Sequence, residues 1–126
     1  MKKHLLIALG GMLGALVRTA LERAFPWDAS AGLPYQTLLI NVTGGFLLTL
    51  LLTLVLEKWE MDSDLRHGLS TGFLAAFTTF STFSMETGEL ILAGRFGAAL
   101  LYLMASLTLG LLAAWGGMVS ARRIVQ

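Results

Sequence analysis

Residues Thr78 to Ser84 read T-T-F-S-T-F-S, five hydroxyls and two phenylalanines inside a stretch that otherwise reads as membrane-spanning. On a helix, residues three apart drift slowly around the axis, so the run resolves into three narrow stripes. Phe77, Phe80 and Phe83 form one, and Thr78, Ser81 and Ser84 a second. Thr79 and Thr82 form the third, which Glu86 continues four residues on. A hydroxyl track beside an aromatic track, with a carboxylate near one end, has the make-up of a narrow polar path. The structural alternative is that each hydroxyl bonds back to a carbonyl one turn earlier, a common habit of Ser and Thr in membrane helices. For a single hydroxyl that alternative prevails; for five in register with aromatics the path becomes competitive.

Around this run the chain is strongly apolar. Hydrophobic residues make up 56% of the 126 and charged residues 13%, against roughly 25% charged in a soluble domain. Four apolar runs, 4–24, 33–56, 65–92 and 97–119, each reach the roughly 20 residues a helix needs to cross the hydrocarbon core. The prediction is a single all-α membrane domain over residues 1–126, with four transmembrane helices and short loops. Absence of cysteine excludes disulfides and thiolate metal sites. A net charge of +1 argues against nucleic acid as a partner. Lys2, Lys3 and His4 before Leu5–Val17 could pass for a secretory signal, but a cut after Ala24 would put Glu22 where a small residue is wanted. A retained first helix is therefore expected.

With four spans, both termini share a face with the middle loop. That face carries six cations (Lys2, Lys3, Lys58, Arg66, Arg122, Arg123), whereas the other carries Arg23 and Arg95. The positive-inside rule then puts the termini in the cytoplasm. In the first helix, Gly10/Gly14 and Gly11/Ala15 both have the spacing that lets helices approach closely in lipid. Arg18 lies within that span, with Glu22 one turn on. It is either a snorkelling cation in a helical ion pair or the lining of a water-filled vestibule that attracts anions. Pro34 is expected in the first turn of the second helix. Asn41, an isolated carboxamide in that helix, reads as interhelical glue or as a donor aimed at a passing anion; Thr37 shares its face. The third segment is longer than a span requires and carries Gly68, Gly72, Ala75 and Ala76 ahead of the hydroxyl run, so a break near its middle is expected. Glu86 and Glu89 read as a solvated interfacial end or, for Glu86, as part of the path. Tyr102 and Ser106, one turn apart on the fourth helix, extend the hydroxyl track. Small-residue faces on four short helices call for a homo-oligomer, and no pattern supports an enzyme or a side-chain metal site.

Three motifs, G-G-x-x-G-A-x-x-R at Gly10–Arg18, N-V-T-G-G-F at Asn41–Phe46 and T-T-F-S-T-F-S-M-E at Thr78–Glu86, give the chain a resemblance to the Fluc fluoride channels over nearly its full length. The resemblance implies a passive, fluoride-selective channel that protects the cell from fluoride. It implies multi-pass residence in the inner or plasma membrane of a bacterium, surrounded by membrane lipid. It implies an antiparallel homodimer of dual topology with two pathways lined by Asn41, Phe80 and Phe83, with hydroxyls at Thr37, Thr82, Tyr102 and Ser106 and an acid at Glu86. It also implies a structural sodium ion at the dimer centre, held by the main-chain carbonyls of Ala75 and Thr78. Two departures follow. The six-to-two cation count is not the balance that dual insertion wants. Alanine stands at 75 and 76 where the family usually has glycine, so a break needing positive φ is altered here or its sodium site weakened.

The chemistry is consistent with that assignment. Fluoride is small and strongly hydrated, so a dehydrating path must replace water with donors, and the Asn41 amide and the Ser81, Thr82 and Tyr102 hydroxyls offer them. The positive edges of Phe80 and Phe83 greet an anion without offering a cation a site. The main rival is a small proton-coupled multidrug exporter with four helices per subunit, which needs a membrane-embedded carboxylate; Glu22 is too near Arg18 and the helix end to serve.

Overall fold

The computed structural model describes residues 1–57 and 59–125; Lys58, counted above among the cations of one face, lies outside them. The architecture is all-α. Helix α1 (Lys2–Ala24) and helix α2 (Tyr35–Glu57) are unbroken, and so is the last helix, α6 (Phe96–Val125). Each is long and apolar enough to cross a membrane. The third segment is not one helix. It runs as α3 (Ser63–His67), a π-helical stretch Gly68–Leu74, α4 (Ala75–Phe77) and α5 (Phe80–Leu92). The expected four spans are thus three continuous helices and one interrupted crossing.

The interruption changes the stripes read from the sequence. Thr78 and Thr79 are extended (φ −76°, ψ 154° and φ −146°, ψ 116°), so Phe77 ends one helix and Phe80 begins another. Phe77 is buried and stacks on Phe73 (centroids 6.1 Å apart), while Phe80 turns away to meet Phe83 at 5.8 Å. The break needs no left-handed residue: Ala75 is ordinary right-handed helix (φ −67°, ψ −34°), and among the described residues only Gly32 and Gly94 have positive φ. Alanine at 75 and 76 therefore carries no conformational penalty, which removes the altered-break expectation. Pro34 also sits one step earlier than expected. It precedes α2, and its carbonyl accepts the first helical bond from the Leu38 amide (3.2 Å).

Helix α1 packs on the part of the third segment before the break. A Cβ on Gly10 would collide with the Gly68 carbonyl, one on Gly14 with the Phe73 carbonyl, and one on Gly72 would lie 2.6 Å from Ile7 O. Backbone meets backbone there, and only hydrogen fits. Gly11, by contrast, has open space beside it. At one end of the bundle Lys2 pairs with Asp62 (3.5 Å) and Arg122 with Glu57 (3.1 Å), which gathers both termini and the middle loop on one face as the span count requires. At the other end the Arg95 guanidinium donates to Ala29 O and joins the two remaining connections.

Candidate functional site

The polar residues of the hydroxyl run fall into two groups. The first is built around the break. Once the helix stops at Thr78, the Thr79 N–H loses its helical partner, and Asn41 on α2 clamps this peptide: Thr79 N–H donates to Asn41 Oδ1 (2.7 Å) and Asn41 Nδ2 donates to Thr79 O (3.0 Å). Thr79 Oγ1 then caps α5 by accepting from the Thr82 amide (3.1 Å). The same hydroxyl donates to Thr82 Oγ1 (3.0 Å) and lies 3.2 Å from Ser81 Oγ. The back-bonding alternative holds for Thr78, whose hydroxyl reaches Leu74 O (3.2 Å), and for Ser84, which reaches Phe80 O (2.9 Å).

The second group surrounds Glu86, which is not a solvated helix end: it is 4% exposed. Thr37 Oγ1 donates to Oε1 (2.7 Å) and Tyr102 Oη donates to Oε2 (2.7 Å); both donors are fully buried. Gln36 Nε2 adds a longer bond to Oε1 (3.4 Å). Three donors and no acceptor suit an ionised carboxylate. Thr37 and Tyr102 thus commit their protons to Glu86 in this arrangement. Glu89, one turn further on, is exposed.

Phe83 links the two groups, tilted against Tyr102 (5.1 Å) on one side and Phe80 on the other. Below these rings α2, α5 and α6 enclose an open groove of about 530 Å³, lined by Asn41, Thr78, Thr79, Phe80, Phe83 and Ser106 with Leu103, Met104 and Leu107. Ser106 Oγ is buried with no hydrogen-bond partner. The second N–H of Asn41 is likewise not used by the Thr79 clamp. Thr82 accepts from Thr79, leaving its own proton available. The structure therefore brings Asn41, Thr79, Phe80, Phe83 and Ser106 to one groove, with Thr82 bonded to Thr79 outside its lining, and sets Thr37, Glu86 and Tyr102 beyond the Phe83 ring. Ser81 is exposed on α5. Arg18 stands apart on α1, paired with Glu22 at 3.7 Å, each side chain about a quarter exposed.

The break also bears on the implied cation. The amide that would reach Ala75 O in a continuous helix, that of Thr79, is diverted to Asn41; the amide due to Thr78 O, that of Thr82, is diverted to Thr79 Oγ1. Ala75 O keeps only a 3.4 Å approach from the Thr78 hydroxyl. Two carbonyls released from helical bonding are the right donors for a hard cation. Among the described residues no cluster of three His, Cys, Asp or Glu side chains exists to bind one.

Sequence reasoning missed Thr79 as the keystone of the break, and it missed Gln36. Thr79 was legible as one hydroxyl among five; its capping role needed the break to be located. Gln36 carried no signal beyond its place next to Thr37.

A family model described as "CrcB-like protein, Camphor Resistance (CrcB)" matches residues 5–118. A protein of Acidobacterium capsulatum described as "Fluoride-specific ion channel FluC" is 45% identical over 123 residues, covering 98% of both chains. One from Geobacillus kaustophilus, "Fluoride-specific ion channel FluC 2", is 43% identical over 94% of this chain and 92% of its own. A third, from Thermus thermophilus and again described as "Fluoride-specific ion channel FluC", is 44% identical over 93% of each.

Proposed function

The chain belongs to the CrcB-like family, and on that premise we propose that it is a fluoride-selective ion channel that lets fluoride leave the cytoplasm passively. It is a transporter, not an enzyme. Protonated fluoride enters an acidified cell uncharged and dissociates in the neutral interior; a membrane potential negative inside then drives the trapped anion out through any selective path. The relatives named above are bacterial, and the bacterial plasma membrane (the inner membrane where there are two) is the natural location.

One observation carries this reading: donors with no acceptor of their own converge on the groove between α2, α5 and α6. Fluoride entering there would exchange water for the free Asn41 N–H, the Ser106 hydroxyl and the edges of Phe80 and Phe83. Thr37 and Tyr102 serve the path through Glu86, whose position they fix. Chloride, larger and more weakly hydrated, gains less from the same donors. The rival multidrug exporter needs a carboxylate open to its substrate, whereas both oxygens of Glu86 are occupied and the group is buried.

Phe80 is 79% exposed and the groove is open on that side, so a second copy is needed to close it. We assign that role to an antiparallel partner, with a structural sodium ion resting on the freed Ala75 and Thr78 carbonyls at its centre. A bound sodium would supply fixed positive charge to two oxygens that have lost their helical amide donors. Arg18 would then stand in the vestibule as an attractant for anions.

The test is fluoride release from loaded vesicles, read with an ion-selective electrode and with chloride as control. Wild-type protein releases fluoride and retains chloride. Phe80→Ile and Phe83→Ile stop release while the dimer still elutes intact. Vesicles as tight to fluoride as bare lipid would end the proposal, and unchanged release in both variants would remove the rings from the path.

A further inference from the structure

The Glu86 group lies oddly close to a helix end for something so dry. Thr37 is the third residue of α2, yet Thr37 and Tyr102 are 0% exposed and Glu86 4%. Side chains in the first turn of a helix ordinarily reach water. The connection between α1 and α2, residues 25–34, borders the group at Tyr102. Trp27 and Leu33 pack against the cluster of Leu90, Ala99 and Tyr102, and Pro34 is itself fully buried.

This connection is built, not merely short. The Trp27 indole N–H donates to Gly32 O (3.0 Å), closing a reversal that Gly32 makes at φ 103°. Inside that ring Asp28 Oδ1 accepts from the Ser30 amide (2.7 Å) and Asp28 O from the Ala31 amide (3.0 Å). The Ser30 hydroxyl and then its amide hold the Asp28 carboxyl below the usual carboxylate range, so the turn stays charged and formed at neutral pH. Arg95 anchors the far side by donating to Ala29 O. Phe83 also packs against the Tyr102 ring (5.1 Å).

We propose that residues 25–34 form a fixed lid that keeps water off the Thr37–Glu86–Tyr102 group, and that Trp27 is its positioning residue. Water admitted there would compete for the Thr37 and Tyr102 protons and weaken every bond to Glu86 by raising the local dielectric. The rigid hold on Glu86, and through Tyr102 on the Phe83 ring, would be lost. The consequence for flux rests on the channel reading above; the dryness of Glu86 does not, so the two are measured separately.

The experiment takes Trp27→Ala, Trp27→Phe and Arg95→Ala in full-length protein in vesicles. Each is exposed to a water-soluble carbodiimide with an amine, and modification is mapped by peptide mass. Exposed Glu89 is the internal positive control. In wild type and Trp27→Phe, Glu89 is modified and Glu86 is not. In Trp27→Ala and Arg95→Ala, Glu86 becomes modified and fluoride release falls about tenfold, the lower end of what lost outer-layer partners cost at ion sites, while dimer elution is unchanged. Glu86 remaining unmodified in Trp27→Ala would overturn the lid. Trp27→Phe behaving like Trp27→Ala would overturn the role of the ring. Wild type that releases no fluoride yet shows this modification pattern would sink the channel reading and leave the lid standing.

Discussion

The two halves of the third segment are held by different chemistry. Before the break, Gly68–Phe77 is seated by its backbone against the backbone of α1, with glycines on both sides removing every atom that would hold them apart. After the break, Phe80–Leu92 is held by side chains: Asn41 on Thr79, Thr37 and Tyr102 on Glu86, Phe83 on Tyr102. The first half tolerates no added volume where its glycines meet α1. The second has room, and its unused donors face a groove. A membrane protein gains little hydrophobic energy from helix contact, so close packing and hydrogen bonds must supply adhesion. Here those two sources are divided between the halves, and it is the hydrogen-bonded half whose side chains are left with chemistry to offer an anion.

The comparison breaks most visibly at glycine. Gly14→Val places side-chain atoms in the Phe73 carbonyl, and because both neighbours are backbone neither can rotate away. Loss of folded, dimeric protein in detergent is expected. Gly72→Ala, with its Cβ 2.6 Å from Ile7 O, should cost about 1–3 kcal/mol as overpacking does. Gly88→Ala, on α5 with nothing within 4 Å, should be neutral or stabilise by up to about 1 kcal/mol through helix propensity. Thermal melts of the three variants read the order. Equal destabilisation by Gly72→Ala and Gly88→Ala would erase the distinction between the halves.

The hydrogen-bonded half breaks at Asn41. Asn41→Leu strands the N–H of Thr79 and removes the second bond to its carbonyl, and a buried unpaired group costs about 1–3 kcal/mol. Asn41→Asp keeps the acceptor for the Thr79 amide and loses the donor to its carbonyl, so its melt should fall between wild type and Asn41→Leu. Both should lower fluoride release, since the groove loses its amide in each. A smaller loss, about 1 kcal/mol, is expected for Thr79→Val, which removes the cap on the Thr82 amide and leaves the Asn41 clamp in place.

These variants also show what could be read from the chain unaided. The membrane class, the tight glycine face at Gly10 and Gly14 and a break in the third segment all follow from local signals that the fold obeys. Where the break falls does not follow: T-T-F-S-T-F-S reads equally well as continuous helix, and only the Asn41 carboxamide, 38 residues earlier, makes it cheaper to stop at Thr78. The stripe from Phe77 to Phe83 failed for that reason. Glu86 was ambiguous because a carboxylate near a helix end is solvated by default. Its burial depends on Thr37, Tyr102 and the lid over them, none of which is a neighbour in sequence. Long-range partners decide the chemistry of this site, and periodicity carries no information about them.

The smallest expected effect separates the two caps of the third segment. Asp62 caps α3 with a carboxylate, accepting from the Asp64 and Leu65 amides (3.1 Å each), whereas Thr79 caps α5 with a neutral hydroxyl. The bond from the Leu65 amide, assisted by Lys2, holds the Asp62 carboxyl below its usual range. A lowered folded-state value contributes stability that is fully present above the ordinary carboxylate range and is lost as pH falls through the lowered value. Acid should therefore loosen the start of α3 and leave the start of α5 unchanged. The group is exposed, so the change is slight and the Lys2 share fades with salt. Amide exchange at Leu65 and Thr82, corrected for intrinsic rates and followed down through the carboxylate range, reads the two caps side by side. Asp62→Asn, which still caps but cannot titrate, should flatten the Leu65 profile. Parallel loosening at both amides in wild type would mean that the ends share one global transition, and the contrast between the halves would then be one of packing alone.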